Sequence, residues 1–209
     1  MHLLLTDRLT CSRCGPQFGL ILLADRMEDR TVVDGTLGCP NCRDAYPVVN
    51  GFGDLRAPPR TRAPQGRAGD PAASDPEAEQ RLAALLGVPE GPGTLVLVGA
   101  VARHAQGLAE LVPGIDVVAV DGDMARWAEV PNVSRIVSRP GLPFYSQMLR
   151  GVGVDGGLGT AWIQEAARVT ARLGRVVVID APEDAGQILE AAGMSVLAQE
   201  PGTVVAARA

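Results

Sequence analysis

From residue 76 to the C-terminus the chain alternates short uninterrupted apolar runs with amphipathic stretches. The runs at 93–100 (GTLVLVGA), 115–121 (IDVVAVD), 133–138 (VSRIVS), 149–155 (LRGVGVD) and 175–180 (RVVVID) have the length and β-branched content of strands buried on both faces. Between them, 76–88, 104–112, 124–130, 160–174 and 183–193 show helical spacing, with Asp75 placed to cap the first helix and Gly174 and Gly193 to stop the fourth and fifth. Two final runs, 194–200 and 202–208, are joined by Pro201-Gly202 and predict a hairpin. Strands alternating with helices predict an α/β fold with a doubly wound, Rossmann-like parallel sheet, here ending in an antiparallel hairpin.

Residues 1–56 follow another rule. All four cysteines lie there, as Cys11-Ser-Arg-Cys14 and Cys39-Pro-Asn-Cys42. Each CxxC turn aims two thiolates at one point, and two turns make a tetrahedral S₄ site. The 24 intervening residues accommodate a hairpin: LILLAD at 20–25, a turn at MEDR, TVV at 31–33, then an Asp34-Gly35 turn. Two disulfides would suit an exported protein, a redox site needs one pair opening a helix, and an iron–sulfur cluster usually has another spacing, so structural Zn²⁺ is the expectation. A unit this small also has too little core to fold readily without a staple. Residues 57–75 (APPRTRAPQGRAGDPAASD) lack apolar periodicity and predict a flexible tether, setting the ribbon (1–56) apart from the α/β unit (76–209). If the two parts pack together, the apolar run Leu20–Leu23 is the expected contact.

Composition narrows the function. Net charge is −5 and aromatics are 3%, which gives no general attraction to nucleic acid or anionic membrane. The arginines of the ribbon and the tether keep an RNA contact in play, although nearby acids match those of the ribbon. No run reaches the roughly 18 to 20 apolar residues that span a bilayer. The opening MHLLLTDR turns charged too soon for a secretory signal, so a cytoplasmic protein is expected.

Two resemblances follow from quoted residues. The stretch DGTLGCPNCRDAYPVVNG (34–51), with LTDRLTCSRC before it, resembles the methyltransferase-activating zinc-ribbon family, small partner subunits of tRNA, rRNA and release-factor methyltransferases. That resemblance implies zinc ligation by Cys11, Cys14, Cys39 and Cys42 and a docking role toward a protein partner. The segments GLPFYSQMLRGVGVD, WIQEAARVTARLGRVVVID and EAAGMSVLAQEPGTVVAAR, in that order, resemble class I S-adenosylmethionine-dependent methyltransferases. That resemblance implies a cofactor site at Gly99, Asp121 and Asp155: the first on the turn after the first strand, the second on the ribose hydroxyls, the third at the mouth of the site. The turn itself, Val98-Gly99-Ala100-Val101-Ala102, departs from the family's D/E-x-G-x-G-x-G. It keeps one glycine and has no acid, and this counts against cofactor binding. Asp121 has a second reading as the cap of the following helix, Asp155 as a polar loop residue, and His104 as either a base or an ordinary first-turn residue; Tyr145, Trp127 and Trp162 read as packing or rim residues. The leading expectation is therefore a zinc-binding, methyltransferase-like scaffold that binds a protein partner, and the alternative is an active methyltransferase carrying its activator ribbon in cis.

Overall fold

The computed structural model describes residues 1–61, 75–139 and 141–209; the tether expected over 57–75 falls, from 62 to 74, outside them. The chain opens with a one-turn helix, α1 (Leu3–Thr6). Strands β1 (Thr10–Cys11) and β2 (Gly15–Gly19) then form a two-stranded sheet. Strands β3 (Ile21–Glu28), β4 (Thr31–Gly38), β5 (Ala45–Val49) and β6 (Phe52–Arg56) form an antiparallel meander. The hairpin turn is Asp29-Arg30, so β3 runs on through Met27 and Glu28. The turn expected at Asp34-Gly35 is a correction: both residues lie inside β4, where Gly35 faces Ala24 and any Cβ on it would come within 2.6 Å of the Leu23 carbonyl oxygen.

Helix α2 (Pro76–Leu86) begins as expected, with the Asp75 carboxylate accepting the Ala78 N–H at 3.1 Å. It is followed by β7 (Thr94–Val98), a 3₁₀ segment (Gly99–His104), α3 (Ala105–Leu111) and β8 (Asp116–Val120). The helix expected at 124–130 is instead a 3₁₀ turn at Gly122–Arg126, ended by an extended Trp127. Then come β9 (Val133–Arg139), β10 (Leu149–Asp155), α4 (Thr160–Val169), β11 (Thr170–Ile179), α5 (Ala185–Ala191), β12 (Ser195–Glu200) and β13 (Thr203–Ala207). The helix predicted to reach Gly174 stops at Val169. β-Branched Val169 and Thr170 disfavour another turn, and the chain there pairs with the lead into β10, Met148 N–H donating to the Val169 carbonyl at 2.8 Å. Gly174 is needed for close approach, since a Cβ there would lie 2.9 Å from the Arg150 carbonyl oxygen.

Eleven strands form one sheet in the order β12-β13-β11-β10-β7-β8-β9-β6-β5-β4-β3. From β11 through β10, β7, β8 and β9 to β6 every pairing is parallel, and β13 lies antiparallel between β11 and β12. The meander therefore joins the α/β part through backbone: Phe52–Arg56 runs beside Arg135–Arg139. Alternation along each buried strand serves two cores. Val96, Val98, Val118, Val120, Val152 and Val154 belong to the core shared with α4, α5 and the N-terminal segment, whereas Leu95, Leu97, Val117 and Ala119 belong to the one shared with α2 and α3. No helix is described between β9 and β10. The N-terminal segment covers that stretch of sheet instead: fully buried Leu9 bridges Phe144, and Thr10 N–H donates to the Pro143 carbonyl at 2.8 Å. Leu20 and Leu22 pack on this same core, while Ile21 and Leu23 point away, 57% and 65% exposed. Among the described residues no helix is long and apolar enough to cross a membrane.

Candidate metal centre and cofactor cleft

Cys11 ends β1 and Cys14 closes the turn into β2, while Cys39 and Cys42 occupy the turn between β4 and β5. Their four Sγ atoms lie within 4.8 Å of one another. Cys11 and Cys42 are 3.6 Å apart, and Cys14 and Cys39 are 3.9 Å apart. A disulfide needs about 2.05 Å. Four thiolates at about 2.3 Å from one Zn²⁺ would have edges of about 3.8 Å, so the donor set fits that ion. All four protein donors are used, which suits a structural site rather than one with an open position.

Polar groups around the sulfurs orient them. Tyr46 is fully buried, and its hydroxyl lies 3.2 Å from Cys11 Sγ. Burial, and then the neighbouring Cys11, push the Tyr46 phenol above its ordinary range, so it stays protonated and donates. Burial alone would raise the Cys11 thiol; the Tyr46 hydroxyl and the N–H groups of Cys14 and Arg13 outweigh it and bring Cys11 down to about 7. Asn41 Nδ2 donates to Cys14 Sγ at 3.3 Å, and the Arg13–Asp44 ion pair at 3.0 Å braces one CxxC turn against the other. A cavity of about 470 Å³ separates this knuckle from α4, with Pro16, Leu142 and Trp162 among its walls. Arg168 closes its floor, binding Glu165 at 2.7 Å and the carbonyls of Leu142 and Phe144 at 2.8 and 2.9 Å.

Gly99, Asp121 and Asp155 come together at the C-terminal ends of β7, β8 and β10. This is the end of a doubly wound sheet at which ligands bind. Gly99 has φ +70°. Its open side is covered: a Cβ there would meet Leu158 Cδ1 at 2.8 Å and Asp155 Cβ at 3.0 Å. The Asp155 carboxylate accepts the N–H groups of Ala100 at 3.2 Å and Gly157 at 2.8 Å, tying the turn after β7 to its own strand. Asp121 accepts the Asp123 N–H at 2.7 Å and so caps the 3₁₀ turn behind it. Beside it opens a cavity of about 330 Å³ lined by Gly99, Ala100, Arg103, Asp121, Asp123, Met124 and Trp127.

His104 lies behind this face. Burial, and then Arg103, push its imidazole below the ordinary value, and its Nδ1 is 3.9 Å from Glu79 Oε1 on α2. It accepts the Arg103 Nε–H at 3.1 Å. Tyr145 lies against Gly19, and Trp127 and Trp162 are half-buried on cavity walls. Sequence reasoning missed Leu158 and Tyr46. Leu158 carries no signal, and Tyr46 lies inside the quoted DGTLGCPNCRDAYPVVNG stretch with nothing in that stretch to mark it as a donor to sulfur.

No family model matches the chain, and no curated protein does. Solved structures do. The cyclase SpnF shares 19% identity over 60% of this chain with a TM-score of 0.50, and this chain spans 58% of the cyclase's length. A geranyl diphosphate methyltransferase in complex with S-adenosylmethionine shares 12% identity, covers 64% of this chain and 85% of its own, and scores 0.50. A Haloferax volcanii complex of the Trm112 methyltransferase activator with a methyltransferase matches at 16% identity over 58% of this chain and 69% of that one, scoring 0.48. The chain has the Rossmann-like fold of class I methyltransferases. At these identities the likeness describes architecture, and the function is argued from the site.

Proposed function

We propose that this chain is a zinc-binding, methyltransferase-like protein that acts in the cytoplasm as a non-catalytic scaffold for a protein partner, with a zinc ribbon carried in cis as part of its own sheet. The observation behind this reading is the crowding over Gly99. A glycine turn serves a cofactor by leaving its Cα face open. Here Leu158 and Asp155 lie against that face, and Asp155 has engaged the Ala100 N–H. Leu97, two residues before Gly99, stands where the resembled family carries its acid. The four thiolates supply no chemistry to this end of the sheet; zinc, when bound, supplies a rigid tetrahedral junction between the two CxxC turns. The net charge of −5 favours a protein over a nucleic acid as the partner.

Calorimetry with S-adenosylmethionine on zinc-loaded protein tests this. No heat is expected from the native chain, and Leu158→Ala, which uncovers Gly99, should restore weak binding. Low-micromolar binding by the native chain would overturn the scaffold reading. It would favour the second one, an active methyltransferase, which has its own support in Asp121 and the cavity of about 330 Å³ beside it. Small-ligand sites begin near about 300 Å³.

A further inference from the structure

One buried side chain touches the supports of both the metal centre and the cavity beside Asp121. Arg135 sits on β9 with 6% of its surface exposed. Its Nη2 donates to the Asn50 carbonyl at 2.6 Å. Its Nη1 donates to the Met124 carbonyl at 3.4 Å and to the Trp127 carbonyl. Met124 and Trp127 are cavity walls. Asn50 belongs to the turn between β5 and β6, which is held to β4 by Asn50 N–H to Asp34 Oδ1 at 3.0 Å and Gly51 N–H to the Val33 carbonyl at 2.8 Å. Strand β4 runs directly into Cys39, and β5 leads away from the same knuckle. The connection from thiolates to Trp127 is thus two paired strands, one turn and one guanidinium.

A buried guanidinium cannot lose its proton, so it has to keep its acceptors. The Asn50 carbonyl is the acceptor on the ribbon side; the other two belong to the segment after β8. If the β4–β5 pair loosens, Arg135 loses the acceptor of its Nη2, and that buried donor has to be met again by a shift of the Met124–Trp127 carbonyls and the neighbouring Glu129. We propose that Arg135 is a positioning residue through which zinc occupancy of the ribbon fixes residues 122–130 and thereby shapes the cavity beside Asp121.

Trp127 reports on this directly. The chain has two tryptophans, so Trp162→Phe leaves Trp127 as the only tryptophan, excited selectively over the two tyrosines. Zinc is withdrawn with a chelator while metal release, Trp127 emission, acrylamide quenching and far-ultraviolet circular dichroism are followed together. The expected result is a red shift and about a twofold rise in quenching as zinc leaves, with the dichroism largely retained, as for a local rather than a global opening. Arg135→Lys keeps the charge but not the forked geometry; it should bind zinc fully yet already show the shifted emission, with no further change on chelation. Asp34→Ala, which frees the Asn50 turn without touching the buried cation, should give an intermediate shift with zinc bound and covers the case in which the Arg135 variant does not fold. The proposal is overturned if zinc departs with Trp127 unchanged, if the dichroism collapses in step with the emission, or if a zinc-loaded, folded Arg135→Lys or Asp34→Ala protein keeps native emission.

Discussion

Replacing Tyr46 with Phe removes one oxygen and leaves the ring where it is. The ring is fully buried, and Arg60 lies over it at 5.3 Å from the centroid. Apolar packing is therefore conserved, and the change falls on the hydroxyl's own contacts, the 3.2 Å hydrogen bond to Cys11 and the Arg13 backbone N–H. Loss of an outer-shell hydrogen bond to a metal ligand costs about 10- to 100-fold in metal affinity, or about 1.4 to 2.7 kcal/mol. The same bond helps bring Cys11 down to about 7. Without the donor the thiolate is less favoured, so Cys11 rises and zinc uptake should need a higher pH; the sign is fixed because the hydrogen bond stabilises only the deprotonated sulfur. Competition with a chromogenic chelator near neutral pH measures the affinity, its pH midpoint gives the second effect, and thermal melting of metal-free protein isolates packing. An affinity within twofold of the native value in a folded protein would refute the assignment. So would equal destabilisation with and without zinc, which would make the hydroxyl a general structural contact.

Other expectations concern the α/β part. Arg168→Ala removes the clamp between α4 and residues 142–146; because Arg168 and Glu165 are 23% and 27% exposed, the loss is discounted to about 2 kcal/mol, which differential scanning calorimetry should read as roughly 4 to 8 °C. Asp75→Ala deletes the N-cap of α2 and should cost about 1 kcal/mol in urea unfolding, against a few tenths for Asp75→Gly. His104 has its folded value lowered by burial and then by Arg103, so on acidification the unfolded chain protonates first. Its contribution is whole above about 6.5, the ordinary value, and shrinks below it; His104→Gln should flatten the fall in stability between neutral and mildly acidic pH, measured by urea titration at each pH.

Much of the sheet was legible because its strands are apolar on both faces. Runs such as LVLV and VVAV leave few alternatives, and β7, β8, β10 and the final hairpin lie where the runs lie. The cysteines were legible for a different reason: two CxxC turns carry their geometry with them. Errors arose where local preference and pairing disagree. Residues 170–174 have helical spacing, but Leu149 pairs with Thr170 and Arg208 takes the backbone groups of Leu173 and Gly174. Asp34-Gly35 is a turn dipeptide placed in a strand whose neighbours are already paired. At the candidate cofactor cleft, composition marked Gly99 as a weakened turn, but Leu158 lies nearly sixty residues on, and no local pattern announces that it will rest against that glycine. The pairing of β6 with β9 was equally unreadable, since parallel partners far apart in sequence leave no periodicity to find.

That last pairing has a consequence for how the protein is made. Phe52 meets Arg135, so the β3–β6 meander emerges from the ribosome about 80 residues before the strand it lies beside. At about 5 to 20 residues per second the interval is roughly 4 to 16 s. Throughout it, β6 presents an open edge, and Leu9 and Thr10 lack the partners they take at Phe144 and Pro143. Nascent chains on neighbouring ribosomes offer the same strands to that edge, so yield in cells is expected to depend on how fast translation passes residue 139.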